Sequence, residues 1–316
     1  MPEQMSPLTP LFTKPDWIHK RMTYSIAAFD PDTGDLGVAV QSKFPNAGVS
    51  IPYAGAGVGA IATQAYCNTA FGPRGLELLA NGASPQQALE ILIESDPERE
   101  FRQLGIVDAQ GRSANYTGER CFDWCGSLQG ENFTAQGNVL TGPEVVQALA
   151  DGFQSAAGSL AERLLASLSA GQQAGGDRRG QQSAGLLVVR AHGGYGGHDD
   201  RLAEISVYDH PQPIDELHRL YAIHRLTYFR SEPDSLLPIE KDLALELQGL
   251  LKARGFYDGA DDGVFGPASI RALHDFMGWE NYDERIRDDG LIDREVLEDM
   301  RVKHRDWLAS EDGPAA

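Results

Sequence analysis

A threonine that directly follows a methionine, at the head of an apolar run, is the residue of this chain best suited to chemistry. Thr23 follows Met22 and opens the segment Thr23–Phe29, whose composition is typical of a β-strand. A threonine hydroxyl is a weak nucleophile at neutral pH unless a base removes its proton. If Thr23 were the first residue of the mature chain, its own α-amine would be that base, because an α-amine has a pKa of roughly 7.7–8.0. An internal threonine has an amide nitrogen instead and lacks this base.

The 22 residues that precede Thr23 leave three interpretations open. Met22 is the true start, so that removal of the initiator methionine exposes Thr23; or the segment is a propeptide that is cut autocatalytically; or it stays and Thr23 is internal. The segment contains four prolines and no apolar stretch of signal-peptide length. We therefore interpret residues 1–22 as an N-terminal extension or a misassigned start, and we expect a cytoplasmic protein.

Composition excludes several classes of partner. The chain has 316 residues, of which 41% are hydrophobic, and a formal net charge of −19. This acidity argues against nucleic acid or an anionic membrane as a partner, because phosphate binding requires clustered Lys and Arg. There is no uninterrupted apolar run long enough to span a bilayer. The length is sufficient for one large domain and one small one.

The three cysteines predict neither a disulfide framework nor a zinc site. Cys67, Cys121 and Cys125 are few and odd in number, and they lack partners at zinc-site spacing. We expect them to be small, buried or half-buried residues. No metal and no cofactor is predicted.

Turn residues and apolar runs predict the secondary structure of the first two thirds of the chain. Two β-hairpins are expected, one around the turn at 30–35 and one around the turn at 108–111. Other predicted strands lie at 58–63, Ser183–Val189 and 203–208, and predicted helices begin after Ser84 or lie at 144–156, 160–169 and Pro213–Tyr228. Strands and helices occur in separate runs, which favours a layered α+β fold over repeated βαβ units. Residues 231–235 are the predicted linker, so the expected domains are 23–232 and 233–316.

Several motifs of the first domain resemble, in order, those of the domain-of-unknown-function-1028 family, which is grouped with the N-terminal-nucleophile hydrolases. They lie at positions 23–26, 37–43, 57–64, 136–140, 175–180 with 182–184, and 209–211. The resemblance covers roughly residues 23–228. It implies an α+β fold arranged as a four-layer αββα sandwich, with a hydrolytic site at one end of the two sheets. It implies no particular substrate.

The same resemblance implies roles for individual residues. Thr23 would be the nucleophile, Lys43 would lower the pKa of its amine by placing a like charge nearby, and Asn138 would contribute to an oxyanion hole. The substrate-binding residues that it implies are Ser42, Thr63, Gln64, Asp177 and Arg178. Of these, Arg178 is suited to bidentate contact with a carboxylate. Thr23 alone has a chemical argument that is independent of the resemblance.

The C-terminal part of the chain resembles a peptidoglycan-binding-like module. The turn at 262–263, the helix start at 266–267 and the apolar positions Ile270, Leu273 and Phe276 have the spacing of one buried helix face. This resemblance implies a compact three-helix unit over about residues 240–300. Met277 stands where the module usually has glutamine, and the segment 281–289 is long and charged, so glycan binding and a plain scaffold role both stay open.

Two glycine-rich stretches have a structural explanation beside a chemical one. Residues 55–59 have the glycine spacing of a dinucleotide loop, but a strand is predicted after them where the fingerprint requires a helix. Residues 192–200 contain histidines and carboxylates that suit a metal, yet so many glycines are more typical of a hairpin loop. Cys67 is a weak candidate nucleophile, because nothing close in sequence would lower its pKa.

These observations predict an amidohydrolase that cleaves an amide or related C–N bond of a small substrate through Thr23. The alternative is a non-catalytic binding protein that docks a cell-wall glycan or a peptide through its C-terminal module. The predicted partners are thus a small-molecule amide and, for the module, wall glycan or peptide, and homo-oligomerisation is left open.

Overall fold

The computed structural model describes residues 23–122 and 124–310, which form two compact units that divide between Leu220 and Tyr221. The predicted N-terminal extension, residues 1–22, lies outside the described residues. The strands are β1 (Thr23–Phe29), β2 (Leu36–Ser42), β3 (Pro52–Gly55), β4 (Gly59–Ala65), β5 (Arg102–Asp108), β6 (Ser113–Thr117), β7 (Gly126–Gly130), β8 (Phe133–Asn138), β9 (Ser183–Val189), β10 (Arg201–Val207), β11 (Leu236–Pro238) and β12 (Leu291–Asp293). The helices are α1 (Ala47–Ser50), α2 (Phe71–Ala80), α3 (Pro85–Glu94), α4 (Glu144–Ser155), α5 (Leu160–Gln173), α6 (Pro213–Tyr228), α7 (Lys241–Ala253), α8 (Pro267–Trp279) and α9 (Arg294–Leu308).

A six-stranded antiparallel sheet is the centre of the first unit, with the strand order β10-β9-β2-β1-β8-β7. Strands β1 and β2 form the predicted hairpin, in register from Thr23 opposite Ser42 to Phe29 opposite Leu36. The turn between them is stabilised by Asp30, whose carboxylate accepts a hydrogen bond from the Asp32 N–H. This hairpin therefore places the head of β1 beside the end of β2, in the interior of the sheet.

A second antiparallel sheet, of four strands, has the order β3-β4-β5-β6. It faces the first sheet through an apolar cluster to which Val38 and Val40 of β2, Ala60 and Ala62 of β4, and Val107 of β5 contribute. Burial of both inner faces explains why these strands carry small and β-branched residues rather than an alternation of polar and apolar ones.

Helices cover the outer face of each sheet. Helices α4 and α5 pack on the six-stranded sheet, whereas α2 and α3 pack on the four-stranded sheet. The starts of α3 and α5 are fixed by capping boxes, in which Ser84 pairs with Gln87 and Ser159 pairs with Glu162. The mixed α+β class that the sequence predicts is confirmed, with antiparallel sheets and nine helices among the described residues.

The second unit contains α7, α8 and α9 and a two-stranded ribbon of β11 and β12. Its core includes Leu247, Leu251, Phe276, Val296 and Met300, all of them buried. Of the predicted buried face of α8, Leu273 and Phe276 are buried and Ile270 is half-buried. The sequence pattern did not predict the ribbon. Among the residues that the structure describes, no helix is both long and apolar enough to traverse a bilayer.

Candidate functional site

Thr23 opens β1 in the interior of the six-stranded sheet, between Ser42 of β2 and Asn138 of β8. Its residue is 3% exposed, and its Oγ1 donates a hydrogen bond to Ser42 Oγ at 3.1 Å. Because side chains alternate along a strand, Thr23 and Ser25 point toward the four-stranded sheet and Tyr24 points toward the helices. Tyr24 indeed donates its hydroxyl hydrogen to Gln172 on α5.

The Thr23 carbonyl oxygen is held by two side-chain amides. Gln64 of β4 donates to it from Nε2 at 3.3 Å, and Asn138 donates to it from Nδ2 at 3.4 Å. Both amides also donate to a third one, because Gln103 Oε1 accepts from Gln64 at 2.7 Å and from Asn138 at 2.9 Å. Gln103 of β5 therefore connects the two side chains that contact Thr23.

These groups belong to a larger buried array between the sheets. Ser25 Oγ donates to Gln64 Oε1 at 2.5 Å, Gln136 Nε2 donates to Ser25 Oγ at 2.7 Å, and Thr134 donates to Gln136 Oε1 at 3.1 Å. We call this set the inter-sheet polar cluster; its members, each 3% exposed or less, are Thr23, Ser25, Ser42, Gln64, Gln103, Thr134, Gln136 and Asn138. The space between the sheets is therefore apolar at Val38 and Val40 of β2, and polar at Ser42, where β2 ends, and along β8.

Backbone strain occurs directly beside this cluster. Ala65 follows Gln64 with φ 63°, and Val139 follows Asn138 with φ 51°. A left-handed conformation is costly for residues other than glycine, and most of all for a β-branched residue such as valine. Such strain concentrates at functional sites, where the surrounding structure must hold it. Here the two strained residues, Ala65 and Val139, each directly follow a residue whose side chain contacts the Thr23 carbonyl.

The loop that contains Asp177 lies against the same end of the sheet. Asp177 is buried, its carboxylate accepts a hydrogen bond from the Lys43 N–H at 3.0 Å, and it forms a salt bridge with Arg179 at 3.0 Å. Leu140, two residues beyond Asn138, pairs with Asp177 in an isolated β-bridge. Burial and the negative charge of Asp177 raise the pKa of Tyr24 well above its usual value, so this phenol stays protonated at neutral pH.

The structure brings four of the eight predicted site residues into direct contact, namely Thr23, Ser42, Gln64 and Asn138. Lys43 is exposed, and its ammonium donates to the Gln181 carbonyl at 3.0 Å. Arg178 is also exposed, and its N–H donates to the carbonyl of Val139. Asp177 thus contacts Lys43 and Arg179 rather than acting with Arg178.

Thr63 points away from the cluster, because it precedes Gln64 on β4 and successive side chains alternate. Its hydroxyl donates to the Asn68 carbonyl at 3.2 Å. In Asn138, both amide hydrogens are directed to protein oxygens, those of Thr23 and Gln103. The catalytic and binding roles of these residues stay predictions.

Three central members of the cluster are not among the predicted site residues, namely Ser25, Gln103 and Gln136, although Ser25 and Gln136 lie within the motifs at 23–26 and 136–140. One signal was present, since β8 carries Thr134, Gln136 and Asn138 at alternate positions with small residues between them. Polar side chains at a period of two indicate one polar face of a strand. That this face is buried cannot be deduced from the pattern, because the partners lie on β1, β4 and β5.

The remaining candidates have structural roles. Residues 192–200 form the loop between β9 and β10, as the glycines predicted, and no group of three metal-binding side chains occurs within residues 23–122 and 124–310. Residues 55–59 connect the end of β3 to the start of β4, and no helix follows them, so the dinucleotide-loop geometry is absent there. All three cysteines are half-buried and without disulfide bonds. Burial, together with Cys125, raises the pKa of the Cys121 thiol to about 12, which makes it a poor nucleophile.

The fold and the cluster define a class: an α+β protein of two facing antiparallel sheets with a neutral polar site at the head of a central strand, followed by a small helical unit. The model of the family of unknown function DUF1028 matches residues 23–217, so the chain belongs to that family. A peptidoglycan-binding domain family matches residues 227–300.

Known structures agree with this assignment. One is the crystal structure of a DUF1028 protein from Silicibacter pomeroyi. Its sequence is 30% identical to this chain, and the two structures superpose with a TM-score of 0.60. The similarity covers 65% of this chain and 86% of the other. No curated protein matches the sequence.

Proposed function

We propose that the first unit is an N-terminal-nucleophile hydrolase with a four-layer αββα sandwich, and that it cleaves an amide or related C–N bond through Thr23. The observation that supports this proposal is the position of Thr23 at the head of a central strand. There its hydroxyl and carbonyl are both held by neutral side chains between two sheets. The cluster contributes no acid or base of its own, so a free α-amine at Thr23 would be the base.

The proposed reaction proceeds through an acyl-enzyme. The α-amine takes the proton of Thr23 Oγ1 while the oxygen attacks the substrate carbonyl carbon. The protonated amine then gives that proton to the leaving nitrogen as the C–N bond breaks, which leaves an ester on Thr23. Water attacks the ester, and its proton passes to the α-amine. As the C–O bond to Thr23 breaks, the amine gives that proton to Oγ1, which releases the acid and restores the hydroxyl. Gln64, Asn138 and Gln103 would fix the backbone of Thr23 throughout.

The test compares two forms of the protein. In one, a cleavable fusion leaves Thr23 as the first residue; in the other, the chain begins at Met1, and its intact mass shows that the segment before Thr23 is still attached. A β-lactone that acylates nucleophilic hydroxyls should add its mass to the first form alone, and amide hydrolysis in a panel of small amides should be at least ~10²-fold faster with the free amine.

The controls are Thr23→Ser, Thr23→Ala and Ser167→Ala, each made with residue 23 at the N-terminus. Serine at position 23 should keep labelling and hydrolysis, whereas alanine at position 23 should abolish both. Ser167→Ala alters a buried hydroxyl between α5 and α4, outside the cluster, and should leave labelling unchanged. Equal labelling of the Met1 form, or labelling of Thr23→Ala, would show that the mechanism is wrong.

A second function, binding of cell-wall glycan by the second unit, is favoured by the peptidoglycan-binding match at residues 227–300. Trp279, at the end of α8, is 73% exposed and offers an apolar ring to a sugar face. Purified sacculi should deplete the protein from solution, and Trp279→Ala should weaken this depletion. A protein that stays in the supernatant with sacculi, as it does with a cellulose control, has no such function. The cytoplasmic location and the oligomeric state stay predictions.

A further inference from the structure

A cavity of about 390 Å³ lies in the first unit where the two sheets open at one side. One wall is β3, the edge strand of the four-stranded sheet, and the other is formed by β9 and the start of β10, the edge strand of the six-stranded sheet. Its volume is at the small end of the roughly 300–1,000 Å³ that ligand sites occupy.

The walls of this cavity are apolar. Pro52, Ala54 and Ala56 lie on one side, and Leu187 and Val189 lie on the other. Leu187, Ala54 and Ala56 also pack against the apolar cluster between the sheets. The cavity is therefore an open continuation of the apolar core, and the small side chains of 54–56 leave the space that it occupies.

The rim of the cavity is acidic. Among its lining residues, the carboxylates of Asp199, Asp200 and Glu204 stand against a single guanidinium, that of Arg201. Arg201 pairs with Glu204 at 2.9 Å, and both side chains are more than half exposed. The Asp199 carboxylate accepts a hydrogen bond from the Arg201 N–H at 2.8 Å, and the Asp200 carboxylate accepts one from the His192 N–H at 3.0 Å. Because backbone N–H groups carry no formal charge, both aspartates remain in excess over the ion pair. No three metal-binding side chains converge in the described residues, so these carboxylates do not form a chelating group.

We propose that this cavity binds a small organic ammonium ion: a protonated primary amine on an unbranched alkyl stem. The stem would pack between β3 and β9, and the ammonium would lie among the rim carboxylates. A bare metal ion would leave the apolar walls uncovered, and an anion would be repelled by the rim.

This cavity is separate from the Thr23 site. Val189, which lines it, pairs with Leu36 at one end of β2, whereas Ser183, at the other end of β9, pairs with Ser42. Seven residues of strand span roughly 20 Å, so the acidic rim and the inter-sheet polar cluster lie at opposite ends of the sheet. The proposal therefore does not depend on the hydrolase activity.

The test uses three probes of similar shape on the full chain: n-pentylamine, which is protonated at neutral pH, 1-pentanol and pentanoate. Amide signals of residues 54–56 and 199–204 are followed by nitrogen–proton NMR during titration. Pentylamine should shift these signals saturably, the alcohol should bind several-fold more weakly, and pentanoate should produce no saturable shift. An alcohol that binds as tightly as the amine would overturn the proposal.

Two matched charge variants make the test independent of folding defects, because the residues are exposed partners of one ion pair. Glu204→Gln removes a carboxylate and should weaken pentylamine binding about two- to five-fold, whereas Arg201→Gln removes the guanidinium and should strengthen it by a similar factor. A purely structural effect would change affinity in the same direction for both. Such a result, or no change in either, would contradict the proposal.

A third variant tests the apolar part. Ala56→Leu should fill the cavity and abolish the saturable shifts, while the signals of residues near Thr23 remain in place. Retained binding by a folded Ala56→Leu protein would place the ligand elsewhere and would overturn the assignment of this cavity.

Discussion

At the scale of single residues, the first unit contains two buried glutamines with opposite surroundings. Gln103 is fully buried, its oxygen accepts two hydrogen bonds, and its nitrogen donates to Thr117 Oγ1 and to two backbone carbonyls. Gln41 is also fully buried, but its amide has no hydrogen-bond partner among the described residues. A buried polar group that is satisfied contributes to stability, whereas an unsatisfied one costs free energy.

The same substitution should therefore have opposite effects at these two positions. Gln103→Met leaves the amides of Gln64 and Asn138 without their shared acceptor and should lower the free energy of unfolding by about 2–4 kcal/mol. Gln41→Met removes an unsatisfied amide at similar volume and should raise it by about 1 kcal/mol. Urea unfolding followed by circular dichroism measures both. Destabilisation of equal size would show that shape, rather than hydrogen bonding, governs both positions.

A buried ion pair predicts how stability depends on pH. Burial alone would raise the pKa of Asp96, but hydrogen bonds from Arg102, Asn68 and the Glu98 N–H outweigh it and lower this pKa from 3.8 to about 2. A lowered pKa in the folded state means that the stabilisation is complete above about pH 4 and is lost as the pH falls toward about 2. The protein should lose stability in that window.

Asp96→Asn should flatten the acid side of the stability curve and, at neutral pH, cost about 3 kcal/mol, because the buried Arg102 loses its buried carboxylate and keeps only that of Glu98. Glu98→Gln is the matched control, since Glu98 pairs with the same guanidinium but is 40% exposed, and it should cost less than about 1 kcal/mol. Urea unfolding at several pH values measures both. An unchanged acid slope in Asp96→Asn would contradict the assignment.

At the scale of elements, close approach of backbones requires glycine at one contact. A Cβ added to Gly185 of β9 would meet the Cα of Gly48 in α1 at 2.3 Å, and neither backbone can yield as a flexible side chain would. Gly185→Ala should therefore destabilise the first unit by about 1–3 kcal/mol.

Gly249 is the matched control for this substitution. It lies inside α7, and nothing stands within 4 Å of an added Cβ. Because glycine is a poor helix former, Gly249→Ala should stabilise the second unit by about 0.5–1 kcal/mol. Thermal unfolding compares the two variants, and a loss of stability in both would contradict the contact argument.

Elements that depend on local signals were predictable from the sequence. Turn residues defined the hairpins β1–β2 and β5–β6, and the Ser84-Pro85 start defined α3. Helix α2 was missed because it contains Gly72, Pro73 and Gly75, which disfavour a helix. Gly72 is required by packing, since a Cβ at this position would collide with the Tyr53 ring.

The candidate site was predictable only in part, because some of its residues are placed by contacts between distant strands rather than by local sequence signals. The resemblance named Thr23, Ser42, Gln64 and Asn138, which the structure brings together. Strand β8 was not predicted, because its sequence of small and polar residues has low β-propensity and it is stabilised by pairing with β1 and β7. Gln103 depends on contacts between sheets, which no local pattern encodes.

At the scale of the whole molecule, the second compact unit begins before the predicted linker. Arg285 is buried, pairs with Asp293 at 2.8 Å, and donates to the carbonyls of Arg225 and Phe229. Leu226 packs against the core of the same unit. The last part of α6 therefore contributes to the stability of the second unit.

Two fragments test this boundary. Residues 221–316 should fold cooperatively as judged by circular dichroism. Residues 233–316 should be less stable by about 2 kcal/mol, because Arg285 would lose two acceptors and the core would lose Leu226. Equal melting temperatures would place the functional boundary at the predicted linker after all, and an unfolded 221–316 fragment would show that the unit depends on the rest of the chain.

The directed amide array between the sheets has a consequence for how the two sheets can meet. If one sheet slid past the other by a single residue, amides would face methyl groups and each would lose its partners. An interface of apolar side chains alone, by contrast, would tolerate several such offsets at similar free energy. The hydrogen bonds of the buried glutamines thus favour a single alignment of the two sheets. They keep Thr23 at a fixed position relative to the opposite sheet.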